Sequence, residues 1–216
     1  MNDKSHWEAV YGTRPADAFS WFQPTADRSL ALIRRVADDP EAPIIDVGGG
    51  ASVLVDDLLR LGYRDVTVLD LARNALAVAQ ARLGSAAATV RWLEADVRTV
   101  QLPKAHYAVW HDRAVFHFLT DASDRDAYVA QVQHAVRPGG FVLVATFAED
   151  GPTRCSGLPV ARYSPEALHR EFGTGFELIS TERETHNTPM GRQQVFTYCL
   201  CRWEGLHASG NGVPAT

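Results

Sequence analysis

Ile44-Ile45-Asp46-Val47-Gly48-Gly49-Gly50-Ala51-Ser52 is the stretch whose reading decides the fold. A short apolar run enters three glycines, and a helical pattern carrying Val53, Leu54, Leu58 and Leu61 follows. Glycines directly after a strand let the backbone turn tightly and lie close to a ligand, and the helix behind them begins with unpaired N–H groups. A dinucleotide fingerprint would place a third glycine where Val53 stands. Asp46, two residues before the first glycine, would repel a pyrophosphate. It suits a ligand that is cationic at that point.

Outward from this turn, strands and helices alternate. Thr25 is read as the cap of a helix over 26–38 with Leu30, Ile33, Val36 and Ala37 on one face. Strands are expected at 42–47, 65–70, 90–93, 107–110 and 141–147, with helices at 52–61 and 73–83. Asp121 or Ser123 caps a further helix built on Tyr128, Val129, Val132 and Val136, which Arg137-Pro138-Gly139-Gly140 ends. Ser164-Pro165-Glu166 starts another, with Ser as cap and Pro in the first turn. Segments 176–184 and 193–203 read as a closing hairpin. The expected fold class is therefore α/β, a mainly parallel sheet with helices on both faces and its ligands beyond the carboxyl ends of the strands. Residues 1–24 precede this unit, 25–203 form it, and 204–216 are expected to be a disordered tail.

Two more acids follow the glycine turn at the tips of successive strands. Asp70, with Leu71 beside it, stands twenty residues after Gly50, where a carboxylate can accept both hydroxyls of a ribose. Asp96 can accept from an adenine amino group while Val97 packs on the ring. With Asp46, Gly48, Gly49 and Gly50, these residues make a cradle for a nucleoside with a cationic tail. Each acid alone would read as a cap or a loop residue; the set in order does not.

These motifs resemble the class I, Rossmann-like S-adenosylmethionine-dependent methyltransferases over about residues 20–203. Asp46-x-Gly48-x-Gly50 matches that family's first motif, Asp70 its ribose acid, Glu94-Ala95-Asp96-Val97 its adenine segment and Arg137-Pro138-Gly139-Gly140 its late motif. The stretch 46–76 is similar to the branch containing citrate-synthase lysine methyltransferase, with Gly49 where many members carry Cys. The resemblance implies a three-layer fold on a seven-stranded sheet with an antiparallel C-terminal hairpin. It also implies S-adenosylmethionine as cofactor and an N-terminal lid over 1–24.

In this fold the segment after the fourth strand faces the transferred methyl group. Trp110-His111-Asp112-Arg113-Ala114-Val115-Phe116-His117 therefore supplies the catalytic candidates His111, Asp112 and His117, with His111 also beside the cofactor and Arg113 on the acceptor. A His near neutral pKa suits removal of an acceptor proton, although a fixed Asp112–Arg113 pair or a His117 bonded to backbone would serve structure alone. Trp21, on the cofactor, together with Tyr11 and Trp7, can close an aromatic lid over a sulfonium. Tyr11 is also a substrate-contact candidate. Arg154 is a candidate for an anionic acceptor. Cys155 stands beside it as a loop thiol, and Cys199 and Cys201 alternate on one strand face as small core residues.

Composition narrows the classes. A formal charge of −5 with 21 basic and 26 acidic residues argues against nucleic acid as partner. Three cysteines make neither a disulfide framework nor a zinc spacing, so no metal is expected. No apolar run approaches the ~20 residues of a membrane helix, and no apolar h-region opens the chain, so a cytoplasmic location without membrane attachment is expected. The expected reaction moves a methyl group to N, O or S of a small molecule, a small thiol or hydrosulfide among the options. Alternatives are methylation of a protein lysine, a nicotinamide-dependent oxidoreductase and a binding module without catalysis. Oligomeric state is not legible.

Overall fold

The computed structural model describes residues 4–205. The tail expected over 204–216 thus lies almost wholly outside the described residues. The chain opens with helix α1 (Lys4–Thr13), then α2 (Asp27–Val36), strand β1 (Ile44–Val47), α3 (Leu54–Arg60), β2 (Val66–Asp70), α4 (Arg73–Leu83) and β3 (Arg91–Glu94). It continues through β4 (Tyr107–Arg113), α5 (Ala122–Ala135), β5 (Val136–Phe147), a hairpin of β6 (Arg154–Cys155) and β7 (Leu158–Pro159), α6 (Pro165–Phe172), β8 (Phe176–Asn187) and β9 (Gln193–Trp203).

Seven strands form one sheet in the order β3-β2-β1-β4-β5-β9-β8. The first five are parallel, while β9 runs antiparallel between β5 and β8. Strand order reverses between β1 and β4, which opens a crevice beyond their carboxyl ends. Alternation along each strand splits the core in two. Ile44, Val109, Leu143, Tyr198 and Leu200 face one layer with Ile33, Leu54 and Leu58 of α2 and α3. Ile45, Val47, Trp110, Val142, Cys199 and Cys201 face the other, against Tyr128 and Val132 of α5 and Leu168 of α6. Each such aliphatic side chain contributes roughly 1.5–3 kcal/mol on burial. The two strand cysteines share a face, as their spacing requires, with sulfurs 3.4 Å apart.

Several boundaries depart from the sequence reading. Thr25 does not cap α2; its hydroxyl donates to Asp27 at 2.8 Å, while the carboxylate of Asp57 on α3 accepts from Ala26 N at 3.0 Å. The buried face of α2 is Ser29, Leu32 and Ile33, so Leu30 is turned toward its margin. Neither Asp121 nor Ser123 gives α5 a side-chain cap; Asp121 stands at the cap position without that bond. Strand β4 runs three residues past Trp110 because β1 pairs with it as far as Asp112 and β5 as far as Arg113. Arg137-Pro138-Gly139-Gly140 fall where the β4–β5 register jumps between Tyr107↔Val136 and Val109↔Phe141, so the proline interrupts no regular ladder. Ser164 does cap α6, accepting from Ala167 N at 3.2 Å. Helix α1 and the β6–β7 hairpin carried no expectation.

Candidate active site

The crevice at the carboxyl ends of β1, β2 and β4 holds two adjoining cavities. The larger, about 780 Å³ of open space, is lined by Asp70, Leu71, Asp96, Val97, Val115, Phe118 and Cys155 on the sheet side, with Trp7, Tyr11 and Trp21 from the N-terminal segment. The second, about 580 Å³, is lined by Ser29, Asp46, Gly49, His111 and Phe19 among others, and shares Tyr11, Trp21, Gly48 and Arg113 with the first.

The glycine turn explains how close a ligand can lie. Gly48 and Gly50 have φ of +68° and +31°, a region that disfavours side chains. A Cβ at Gly50 would stand 2.5 Å from Asp70 Oδ2, and one at Gly49 would strike Asp46 Oδ2. The turn is kept bare because two acid side chains fold back over it.

Asp46 and His111 are partners across the β1–β4 register, so their side chains share a face. His111 Nδ1 lies 2.7 Å from Asp46 Oδ1, and its Nε2 lies 2.8 Å from Ser29 Oγ. A carboxylate only accepts, so Nδ1–H donates to it, while Nε2 bonds the serine hydroxyl. Both ring nitrogens are thereby used. Asp46 Oδ2 is buried and has no hydrogen-bond partner among the described residues. A buried anion with one free oxygen needs a donor, and the ammonium of a methionine moiety is a donor of that kind.

Asp70 is 7% exposed, and its Oδ1 accepts from Ala72 N at 2.8 Å. Burial, opposed by that bond and reinforced by the charges of Asp46 and Glu8, pushes its pKa up to about 7. Asp96 lines the cavity, but Arg98 holds both its oxygens at 2.6–3.2 Å. Burial works to raise its pKa, yet the bonds from Arg98 win and hold it below the ordinary carboxylate range.

The roof is aromatic. Phe19 and Trp21 stack with centroids 4.7 Å apart, Tyr11 meets Phe19 edge-on at 5.1 Å, and Trp7 meets Phe118 at 5.1 Å. Glu8 fastens it: its carboxylate accepts from Arg73 N at 2.8 Å and Asn74 N at 3.0 Å, supplying the cap that Ala72 cannot give α4. The C-terminal hairpin holds the other side, with His186 bonded to Ser20 O at 2.8 Å and Gln23 near Glu184 at 3.5 Å.

Other sequence candidates are placed differently. Asp112 is fully buried and lines neither cavity; it accepts from Val115 N, Phe116 N and Tyr128 Oη at 2.6–3.0 Å. It fixes the bend at Ala114, whose φ is +74°, and so positions the floor without touching a ligand. Burial outweighs those bonds and raises its pKa to about 6. His117 also lines neither cavity. Its Nδ1 accepts from Phe147 N at 3.3 Å, and burial with the nearby Arg113 charge lowers its pKa to about 3, which unfits it as a base. Arg154 is exposed and donates to Gly157 O; alternation in β6 turns Cys155 inward instead. Burial pushes that thiol up to about 12. Sequence reasoning missed Glu8, Ser29, Phe118, Glu184 and Tyr198. Among the described residues no cluster of His, Cys, Asp and Glu fits a metal ion, and no helix is long and apolar enough to cross a membrane.

Sheet order, bare glycine turn and acids at the tips of β1, β2 and β3 together define the class I, Rossmann-like methyltransferases, whose methyl donor is S-adenosylmethionine. The profile described as a methyltransferase domain matches residues 44–140, and the chain carries such a domain. It is 24% identical over 150 residues to the eEF1A lysine and N-terminal methyltransferase of Mus musculus. That match covers 67% of this chain and 21% of the relative, so the chain spans about a fifth of that relative's length. Two solved structures share the fold. One, described under conversion of a disulfide bond into a thioacetal group during echinomycin biosynthesis, has a TM-score of 0.74 at 19% identity over 95% of this chain and 94% of that one. The other, the N-methyltransferase NodS of Bradyrhizobium japonicum WM9 with S-adenosyl-L-homocysteine, has a TM-score of 0.70 at 12% identity over 94% and 99%.

Proposed function

We propose that this protein moves the sulfonium methyl of S-adenosylmethionine to a nucleophilic atom of a small molecule. The observation that carries the reading is the roofed cavity: Trp7, Tyr11, Trp21 and Phe118 close over Asp70, Leu71 and Val97, a cover that favours a compact acceptor over a large one. Residues 1–24 act as the lid. Asp46 Oδ2 holds the ammonium, Asp70 the ribose hydroxyls, Leu71 and Val97 the adenine faces and Asp96 its amino edge, with Gly48, Gly49 and Gly50 keeping the approach open.

When bound, held by Asp46, Asp70, Leu71, Asp96 and Val97, the cofactor would supply an activated sulfonium methyl group for an acceptor's lone pair. The protein's part is alignment and exclusion of water. The aromatic lid expels solvent and offers π faces to a cation. His111 holds Asp46 in place from behind and is a positioning residue. A protein side chain is the second reading, favoured by the likeness to the eEF1A lysine methyltransferase.

Calorimetry with S-adenosylhomocysteine, followed by a screen with isotopically labelled S-adenosylmethionine, tests both. Label in low-mass products supports the first reading, and label in protein bands supports the second. A protein that ignores S-adenosylhomocysteine and is thermally stabilised by a nicotinamide dinucleotide refutes both.

A further inference from the structure

The cation Arg113 stands where the two cavities adjoin. Its side chain is 9% exposed and lines both cavities. Three of its contacts are fixed: Nε donates to Tyr198 Oη at 3.0 Å, Nη1 donates to Trp21 O at 3.2 Å, and the guanidinium lies 4.2 Å over the Phe196 ring. Nη2 is left. It is buried without a hydrogen-bond partner among the described residues, since Glu184 Oε2 at 3.6 Å is too far to accept. A donor left over on a caged, charged side chain is expensive to keep unless a ligand takes it.

Resting on the methyltransferase reading, we propose that the methyl acceptor is a small anion (a thiolate, phenolate or carboxylate) held by Arg113 Nη2 beside the methyl group. Two independent observations converge on it. The first is charge: an acceptor between a sulfonium and the Arg113 guanidinium meets two cations, while Asp46 and Asp70 are turned to the cofactor's ammonium and ribose and Glu184 lies 3.6 Å behind the guanidinium, outside both cavities. An anion is complementary there, whereas an ammonium is repelled. The second is the lack of a base. His111 has both nitrogens engaged, Tyr11 is raised well above its ordinary pKa by burial and the charge of Asp70, and Cys155 is raised by burial. An anion has no proton to lose on accepting a methyl group, so its transfer balances without one. The neutral Cys155 thiol is then a wall of the pocket rather than a nucleophile.

The test is binding to protein saturated with S-adenosylhomocysteine, read by quenching of tryptophan fluorescence. Benzenethiolate and benzoate are titrated against benzylamine and benzyl alcohol. At least one anion should bind about tenfold more tightly than the alcohol, and the amine should bind no better than the alcohol. Arg113→Gln should abolish that preference and Arg113→Lys should restore part of it. Glu184→Gln, which removes the competing carboxylate, should tighten anion binding, about threefold or more. A merely structural Arg113–Glu184 pair would weaken binding in both variants, so the sign of the Glu184→Gln effect decides even if Arg113→Gln does not fold. Equal binding of amine and anions, no anion binding above the alcohol, or a preference surviving in Arg113→Gln overturns the proposal. Calorimetry with S-adenosylhomocysteine on the wild type separates the two failures: without binding the methyltransferase reading falls, and with binding but no anion preference only this inference falls.

Discussion

Replacing Asp70 with Asn should stabilise the protein on its own and weaken its ligand. In the folded chain burial lifts this carboxyl from its ordinary 3.8 to about 7, against the pull of the Ala72 N–H and with the charges of Asp46 and Glu8 adding to the rise. A shift of about 3 units corresponds to roughly 4 kcal/mol at most. Because the folded pKa lies above the unfolded one, the folded state binds the extra proton, so the cost is absent below about pH 4, grows as pH rises and is complete above about pH 7. Asn keeps the acceptor for Ala72 N and removes the charge. At pH 8 Asp70→Asn should therefore gain about 1–3 kcal/mol once relaxation is allowed for, and raise Tm by at least ~2 °C for a chain of this size. At pH 5 the gain should shrink. Ligand affinity should move the other way. Two ribose hydroxyls lose a charged acceptor, worth about 1.5–3 kcal/mol for each such bond, so S-adenosylhomocysteine should bind at least about tenfold more weakly. Wild-type affinity should also fall about tenfold per pH unit below 7, while the variant stays flat. Scanning calorimetry and titration calorimetry between pH 5 and 8.5 give both quantities. A variant that is less stable at pH 8, or that binds S-adenosylhomocysteine as tightly as wild type, would refute the reasoning.

Three further expectations rest on other contacts. Glu8→Ala removes the cap that Arg73 N and Asn74 N share, costing about 1 kcal/mol and freeing α1, which hydrogen exchange over residues 4–13 should register as lost protection. Unchanged exchange there would mean the helix is held by its aromatics alone. All three cysteines are buried and burial raises the Cys155 thiol to about 12, so iodoacetamide at pH 7.5 should label none of them in the native protein and three after unfolding, by intact mass. Rapid native labelling of Cys155 would show an open roof. Asp112→Ala strands two backbone N–H groups and the Tyr128 hydroxyl, and should cost about 3–5 kcal/mol in urea unfolding while Asp112→Asn, which keeps one of the two acceptor oxygens, loses less. Equal losses would argue that one acceptor oxygen is worth nothing to the loop without the other.

The sequence by itself determined the layered α/β order, because each element's periodicity and punctuation are local: Gly84 closes α4, Ser164 and Pro165 open α6, and the glycine turn follows a strand with no other use for it. It also ordered Asp46, Asp70 and Asp96 along the crevice, since successive strand tips in a parallel sheet fall on one edge. Tertiary structure alone decided what the polar residues near the fourth strand do. His111 is engaged at both nitrogens because Ser29 arrives from α2, 82 positions away in the chain, and His117 is silenced by burial beside Arg113. Asp112 turns to its own loop and to Tyr128 on α5. Arg113 Nη2 is left without a hydrogen bond, 3.6 Å from Glu184, only because Tyr198, Trp21 and Phe196, from opposite ends of the chain, occupy the rest of the guanidinium. Strand position is written in neighbours along the chain. The free valence of a buried charge is written in neighbours across it.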